Sequence, residues 1–407
     1  MFLKHISIFV CLSFTIIAKA QINYKSFPQH PAYAKGVILP NHISQKEMDD
    51  SVKSFYDQWK KRYIKKDNCS TGLYIWTENS TANKICVSEG QGYGMLITAL
   101  MAGYDKNAKE TYDGLFNYYV AHPSKRNKYL MSWAQTNNCH HVEASSATDG
   151  DIDIAYSLLL ADAQWKSNGN INYLLAAKNI INAIFEQEIN HAIYSVLLSN
   201  STEYDSKDYF DTRSSDFMPA HFRLFSEKMN DLNWNKVIDN NYRLFNYMQN
   251  KFSNSAGLIP DFILHVNTVA KPANANYLES KYDGCYNYNA CRDPWRIATD
   301  YIVNGEPKAK EIVGKINNWL RRTTNNKPDN ISAGYALSGE DLKNRNFEAL
   351  SFISSFAVSA MVDAKNQIWL NHLWDYVVHF KLKDFDYYDN TIKMINLIIL
   401  SGNYWKP

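Results

Sequence analysis

One pattern limits the fold more than any other: apolar residues recur at helical spacing in stretch after stretch of the chain. Residues 44–64, 93–103, 110–121, 151–166, 170–188, 216–226, 232–251, 294–304, 307–322, 347–363, 367–381 and 388–400 all carry it. Such spacing lines apolar side chains along one face of a helix. The first stretch opens with a capping pattern, Ser44 and Glu47, and sets Met48, Val52, Phe55, Tyr56 and Trp59 on one stripe. Others, such as 392–400, are apolar on more than one side and belong inside a larger assembly. About twelve helices are therefore expected, without the strand–helix alternation of a TIM barrel. The fold class is all-α.

Polar, aromatic-rich loops at 65–88, 122–148, 199–215, 252–293 and 323–346 separate these stretches. Loops of that length without helices of their own are usually functional or disordered. With no Ser/Gly-rich linker or break in composition, residues 21–407 read as a single domain with its loops gathered around a cleft. Residues 1–20 read as an export signal: Lys4 and His5, an apolar run from Ile6 to Ile17, and the small-x-small site Ala18-Lys19-Ala20. The run is too short to span a bilayer, and Cys11 lacks the small residues that precede a lipidated cysteine. The mature protein is expected to be secreted or periplasmic, with no membrane partner.

Lys and Arg total 43 against 41 Asp and Glu. Both excess positives, Lys4 and Lys19, lie in the leader, so the body is neutral. A nucleic-acid groove that neutralises phosphates does not fit this balance. Aromatic residues make up 14% of the chain, a surplus suited to stacking on an uncharged or weakly charged ligand. Five cysteines follow the leader, and Cys69/Cys86 and Cys285/Cys291 are the pairs to test first as disulfides. The run Cys139-His140-His141 with Glu143 lacks metal-ligand spacing, so no metal is expected there.

Three junctions concentrate acids and glycines. Val87-Ser88-Glu89-Gly90-Gln91-Gly92-Tyr93-Gly94-Met95 sets Glu89 just ahead of a helix, with glycines that would let backbone approach a ligand. The Lys-Ser/Thr ending of a phosphate loop is missing. Ala147-Thr148-Asp149-Gly150-Asp151-Ile152-Asp153 begins like a calcium loop, but Ile154 and Leu160 stand where that loop needs Gly and Glu. At least one of its three acids is expected to be a helix cap. The third junction, 278–296, mixes Glu279, Asp283, Tyr288, Asn289, Arg292 and Trp295 ahead of a helix.

Together the junctions resemble glycoside hydrolase family 8. The Ser-Glu-Gly-Gln-Gly-Tyr-Gly-Met run is similar to the family's acid motif, and the Ala-Thr-Asp-Gly-Asp-Ile-Asp run to its most diagnostic stretch. Tyr288-Asn289-Ala290-Cys291-Arg292, then Tyr387-Tyr388-Asp389 and Ser401-Gly402-Asn403-Tyr404, follow in family order. The resemblance implies an (α/α)6 barrel of six inner and six outer helices. It also implies inverting cleavage of β-1,4-linked glucan, xylan or chitosan, with no cofactor.

One position departs from the largest branch of the family, which has an aspartate base where this chain has Asn289. An amide cannot take a proton at ordinary pH. A second branch, which includes chitosanases, resembles this sequence in pairing that Asn with a Glu in the preceding loop. Glu279 fits that place, and Thr212-Arg213-Ser214-Ser215-Asp216-Phe217 also looks like that branch.

The resemblance therefore implies Glu89 as general acid, Glu279 as general base and Asp149 at the −1 sugar. Arg292 and Asn289 would hold water or sugar, and Trp133, Tyr93 and Tyr388 are stacking candidates. Asp283 is the alternative base. Because chitosan carries an ammonium on C2, Asp216 and Asp283 are assigned to its recognition, and chitosan is the expected substrate. A β-1,4 or mixed-linkage β-glucanase is the alternative within the family. An inactive glycan-binding relative and a uronate-cleaving lyase are remoter. Nothing in the sequence indicates an oligomer, so a monomer is the default.

Overall fold

The structure, a computed structural model, describes residues 24–69, 71–78, 84–136, 143–342 and 349–407. The leader and Cys139-His140-His141 lie outside the described residues. Twelve α-helices follow one another among those described: α1 (Gln45–Tyr63), α2 (Ser88–Leu100), α3 (Ala108–Ala121), α4 (Thr148–Trp165), α5 (Tyr173–Glu188), α6 (Pro219–Met229), α7 (Asn233–Phe252), α8 (Asp293–Asn304), α9 (Pro307–Thr323), α10 (Leu350–Ala360), α11 (Gln367–His379) and α12 (Tyr387–Leu400). The expected capping box opens α1, with Ser44 and Glu47 exchanging side-chain and backbone bonds.

The even-numbered helices form the inner ring. Nearly every residue of α2, α4, α8, α10 and α12 is buried, whereas α1, α3, α5, α7, α9 and α11 bury one face. Contacts run α2 to α4 to α6 to α8 to α10 to α12, and α12 returns to α2, which closes the ring. Each odd helix from α3 to α11 packs on the inner helix before it, and α1 packs on α12. This is the (α/α)6 barrel. A helix apolar on all sides has nowhere to sit except inside such a ring.

Small residues let the inner helices meet closely. A Cβ on Gly150 of α4 would stand 2.6 Å from the Ser88 carbonyl carbon and 2.7 Å from the Glu89 nitrogen of α2. A Cβ on Gly92 would stand 2.8 Å from Asp153 Cβ. Gly90, Gly92 and Gly150 thus serve helix–helix contact, and Gly94 makes room for the Ile75 side chain. The expectation that they admit a ligand to the backbone is corrected accordingly.

The long loops carry short antiparallel ladders. Cys86–Val87 pairs with Ala134–Gln135. Thr212–Arg213 pairs with Phe262–Leu264, which pairs in turn with Lys271–Pro272. Among the described residues no helix is long and apolar enough to cross a membrane. Both disulfide expectations fail: Cys86, Cys285 and Cys291 are free, and Cys86 and Cys291 are buried among barrel residues. Cys69 does form a disulfide, though not with any of these three.

Candidate active site

Two acids stand in the first turns of neighbouring inner helices, at the same end of the barrel. The Cys86–Val87 ladder leads directly into α2, and the Ser88 amide donates to the Trp133 carbonyl at 2.9 Å. Glu89 follows as the second residue of the helix. Asp149 is likewise second in α4, whose start is fixed by Thr148 donating to the Leu197 carbonyl at 2.7 Å. Helix N-termini favour negative charge. Both acids were expected ahead of their helices, but each lies within the first turn.

Arg292 joins them. It sits in a 3-10 turn, Ala290–Arg292, that runs into α8, and only 1% of its side chain is exposed. Nη1 donates to Glu89 Oε2 at 2.6 Å and to Asp149 Oδ2 at 2.7 Å. Nη2 donates to Ser215 Oγ at 2.8 Å and Asn289 Oδ1 at 3.0 Å. A rigid guanidinium fork suits such a hub, since a lysine ammonium could not meet four partners in fixed directions.

The second carboxylate lies at the far side of that hub. Asn289 Nδ2 donates to Glu279 Oε2 at 2.7 Å, so a hydrogen-bonded line runs from Glu89 through Arg292 and Asn289 to Glu279. Glu279 is 45% exposed on its side chain, whereas Glu89 is 16% exposed. Arg213 approaches from the ladder strand and reaches Asp149 Oδ1 at 3.2 Å, Asp216 Oδ1 at 2.9 Å and Glu279 Oε1 at 3.6 Å.

Surroundings separate the acids. Burial raises Glu89, and although Arg292 pulls it back, the nearby Asp149 charge adds to the rise, leaving it at about 7. Burial also opposes ionisation of Asp149, but Arg213 and Arg292 outweigh it and hold that carboxyl well below the usual range. The site thus holds one acid that keeps its proton near neutrality and one locked as an anion. Pushing carboxyl groups apart in this way is how acid and base roles are assigned in one cleft.

Not every candidate belongs to the surface of this cleft. Asp216 has no exposed side-chain area and is paired with Arg213, so a substrate ammonium cannot reach it. Burial lifts its carboxyl to about 6 against the pull of Arg213. Asp283 is 1% exposed and spends its carboxylate on backbone amides, which removes it both as ammonium partner and as alternative base. Tyr93 is fully buried beneath the arginines: its hydroxyl accepts from Arg292 Nη1 at 3.3 Å, and its ring leans on Trp295 at 5.9 Å. It supports the site and offers no face to a sugar.

Trp133 is half-buried, with the Lys84 ammonium 3.5 Å above one ring face. Only its other face remains for a sugar. Tyr388 donates to the Tyr288 carbonyl at 2.6 Å and so pins the segment leading to Asn289. Tyr288 itself is 42% exposed beside it.

The acids of the second junction divide their work. Asp149 accepts its neighbour's amide, from Gly150 at 2.9 Å, but the N-cap residue of α4 is Ala147 and no side chain caps it, so the expected helix cap is not formed by these acids. Asp151 accepts the Met131 amide at 2.8 Å and so ties down the 122–148 loop. Asp153 takes both nitrogens of Arg296, at 2.8 and 2.5 Å, below the floor of the site. Arg213 and Ser215 were not singled out as site residues from sequence, although both lie in the quoted 212–217 run. Asp261, whose Oδ1 accepts the amides of Asn287 and Ala290 on either side of Tyr288 and Asn289, and the role of Arg296 gave no local signal, because their partners come from other segments. Among the described residues no group of three His, Cys, Asp or Glu side chains is arranged to hold a metal.

Comparison with known proteins agrees with the fold. The model of the family described as glycosyl hydrolases family 8 matches residues 41–402. A protein named β-glucanase from Niallia circulans is 44% identical over 401 residues, covering 97% of this chain and 95% of its own. An endoglucanase from Bacillus sp. strain KSM-330 is 40% identical over 395 residues, covering 94% and 82%. The structure of a β-1,3-1,4-glucanase from Paenibacillus sp. X4 superimposes with a TM-score of 0.90 at 42% identity, covering 95% of this chain and all of that one.

Proposed function

The chain belongs to glycosyl hydrolase family 8, and from that premise we propose that it is an inverting, endo-acting β-glucanase with Glu89 as general acid and Glu279 as general base. One observation carries the reading. A shielded carboxyl raised to about 7 and a water-exposed carboxylate stand on opposite sides of an Arg292–Asn289 bridge. Inversion needs two such groups, roughly 6.5–9.5 Å apart, with a water between base and anomeric carbon. Here neither acid touches the other, and each has a separate polar anchor.

In the reaction, Glu89 gives its proton to the departing glycosidic oxygen. Glu279 draws a proton from water as that water attacks the opposite face of the sugar. Asp149, buried and held ionised by two guanidiniums, acts on the acid beside it: its charge helps keep the proton on Glu89. Asn289 aims the base without competing for the proton. Glu89 ends the turnover ionised and regains its proton from solvent, while Glu279 loses its own.

Charge favours a neutral polymer. Arg213 and Arg292 flank the acids, and Asp216 and Asp283 are closed off, so neither carboxylate expected to receive the ammonium of chitosan beyond the catalytic pair can do so. The names of the similar proteins point the same way. We therefore set the chitosan expectation aside in favour of β-1,4 or mixed-linkage β-glucan. A polymer of that size requires an enzyme outside the cytoplasm, in keeping with the leader expected at 1–20. Reducing-end release on lichenan, carboxymethylcellulose, chitosan and xylan in parallel tests the reading. Lichenan or carboxymethylcellulose should lead, and a lead by chitosan would reverse it.

A further inference from the structure

Tyr277 packs its ring on Phe262 at 5.6 Å, but the next two side chains, including the proposed base, stand out of that packing. Leu278 is 58% exposed and Glu279 is 45% exposed on its side chain. Catalysis by positioned groups nevertheless demands a fixed geometry, since a displacement of about 1 Å can cost 10²-fold in rate. Something other than hydrophobic contact must set the position of residue 279.

Asp283 meets that need. Its buried carboxylate takes three consecutive backbone amides: Leu278 at 2.7 Å and Glu279 at 3.0 Å on Oδ2, and Ser280 at 2.8 Å on Oδ1. The carboxylate is itself referenced to the sheet, because the Phe262 amide donates to the Asp283 carbonyl at 3.0 Å. One residue before Phe262, Asp261 Oδ1 accepts the amides of Asn287 at 2.9 Å and Ala290 at 2.7 Å. Glu279 and its partner Asn289 are thus fixed by two buried carboxylates that share one strand as a frame. Charge-assisted bonds to amides are stronger than neutral ones, which suits residues whose side chains stand out of the packing.

We propose that Asp283 is a positioning residue that acts through Glu279, holding the base where Asn289 and the attacking water meet it. The inference rests on Glu279 being the base. Asp283→Ala removes all three acceptor bonds, and Asp283→Asn keeps the volume and one acceptor oxygen. With lichenan as substrate, D283A is expected to lose about 10²-fold in kcat with KM within about twofold. D283N should lose about tenfold.

A double-mutant comparison separates positioning from general support. If Asp283 works only through Glu279, E279Q/D283A turns over no more slowly than E279Q alone. Should D283A fail to fold, D283N with E279Q/D283N makes the same comparison. A further loss on top of E279Q, equal to that in the parent, would overturn the inference and leave a structural role. An inactive E279Q beside a fully active D283A would also overturn it and leave the base assignment standing. Parental turnover by E279Q would instead remove the base assignment, and this inference with it.

Discussion

Asn289 stands between Glu279 and Arg292, donating its amide nitrogen to the carboxylate at 2.7 Å and accepting from the guanidinium at 3.0 Å. The residue that occupies the base position of the larger branch therefore bonds to the proposed base here. Replacing it by aspartate should harm the enzyme. N289D sets a like charge against Glu279 and removes the donated hydrogen bond, so the carboxylate loses the contact that aims it. Turnover on lichenan is expected to fall about 10²-fold, as for a displacement of about 1 Å, with the melting temperature recorded alongside. Full activity in N289D would show that Asn289 does not aim Glu279.

Glu89 must carry a proton to act, and burial lifts its carboxyl to about 7. The alkaline limb of kcat/KM should therefore fall near neutrality in the parent. The same shift governs stability. The folded state holds this proton more tightly than the unfolded chain, so the contribution is fully present below the unfolded pKa and is lost as pH rises through about 7. E89Q carries no such cost, so its melting temperature should equal or exceed that of the parent above neutrality while turnover is lost. Melting curves at pH 5 and pH 8 check the sign.

Arg213 touches Asp149, Asp216 and Glu279, and no single ammonium could do the same. R213M leaves Asp216 buried without a cation, a change expected to cost about 3–5 kcal/mol. R213K should retain much of that stability yet lose kcat, because the geometry at Glu279 is no longer fixed. Denaturant unfolding and steady-state kinetics on both variants separate the two effects.

Gly150 has the start of α2 against its α-carbon, so a methyl group there presses on the backbone beside Glu89. G150A should cost about 1–3 kcal/mol through overpacking and should also lower kcat by displacing the acid. Loss of stability with kcat intact would mean that the helices separate without moving Glu89.

Much of this was legible in the sequence, for physical reasons that differ by residue. The twelve helices were visible because a barrel of helices writes its 3.6-residue period in every segment, and α1 carries its own cap in Ser44 and Glu47. Glu89, Asp149, Asn289 and Arg292 were visible because they stand in short local motifs. Asp216 misled, because a sequence shows an acid without showing that Arg213 and burial have closed it off. Tyr93 misled in the same way, since an aromatic beside a catalytic acid reads as a platform until the arginines above it are seen. Asp261 and the role of Arg296 were out of reach because their partners come from segments far away in the chain. The disulfide expectations failed because spacing says nothing about whether two thiols meet in the fold.

The assignment of Glu279 as base is the central claim, and its most direct test is the turnover of E279Q on lichenan, with the melting curve recorded alongside. A general base contributes about 10²–10⁴-fold. A loss of that size with unchanged melting is the expected result, because the glutamine side chain fills the same space on an exposed loop and can still bond to Asn289. E279Q turning over at the parental rate would contradict it.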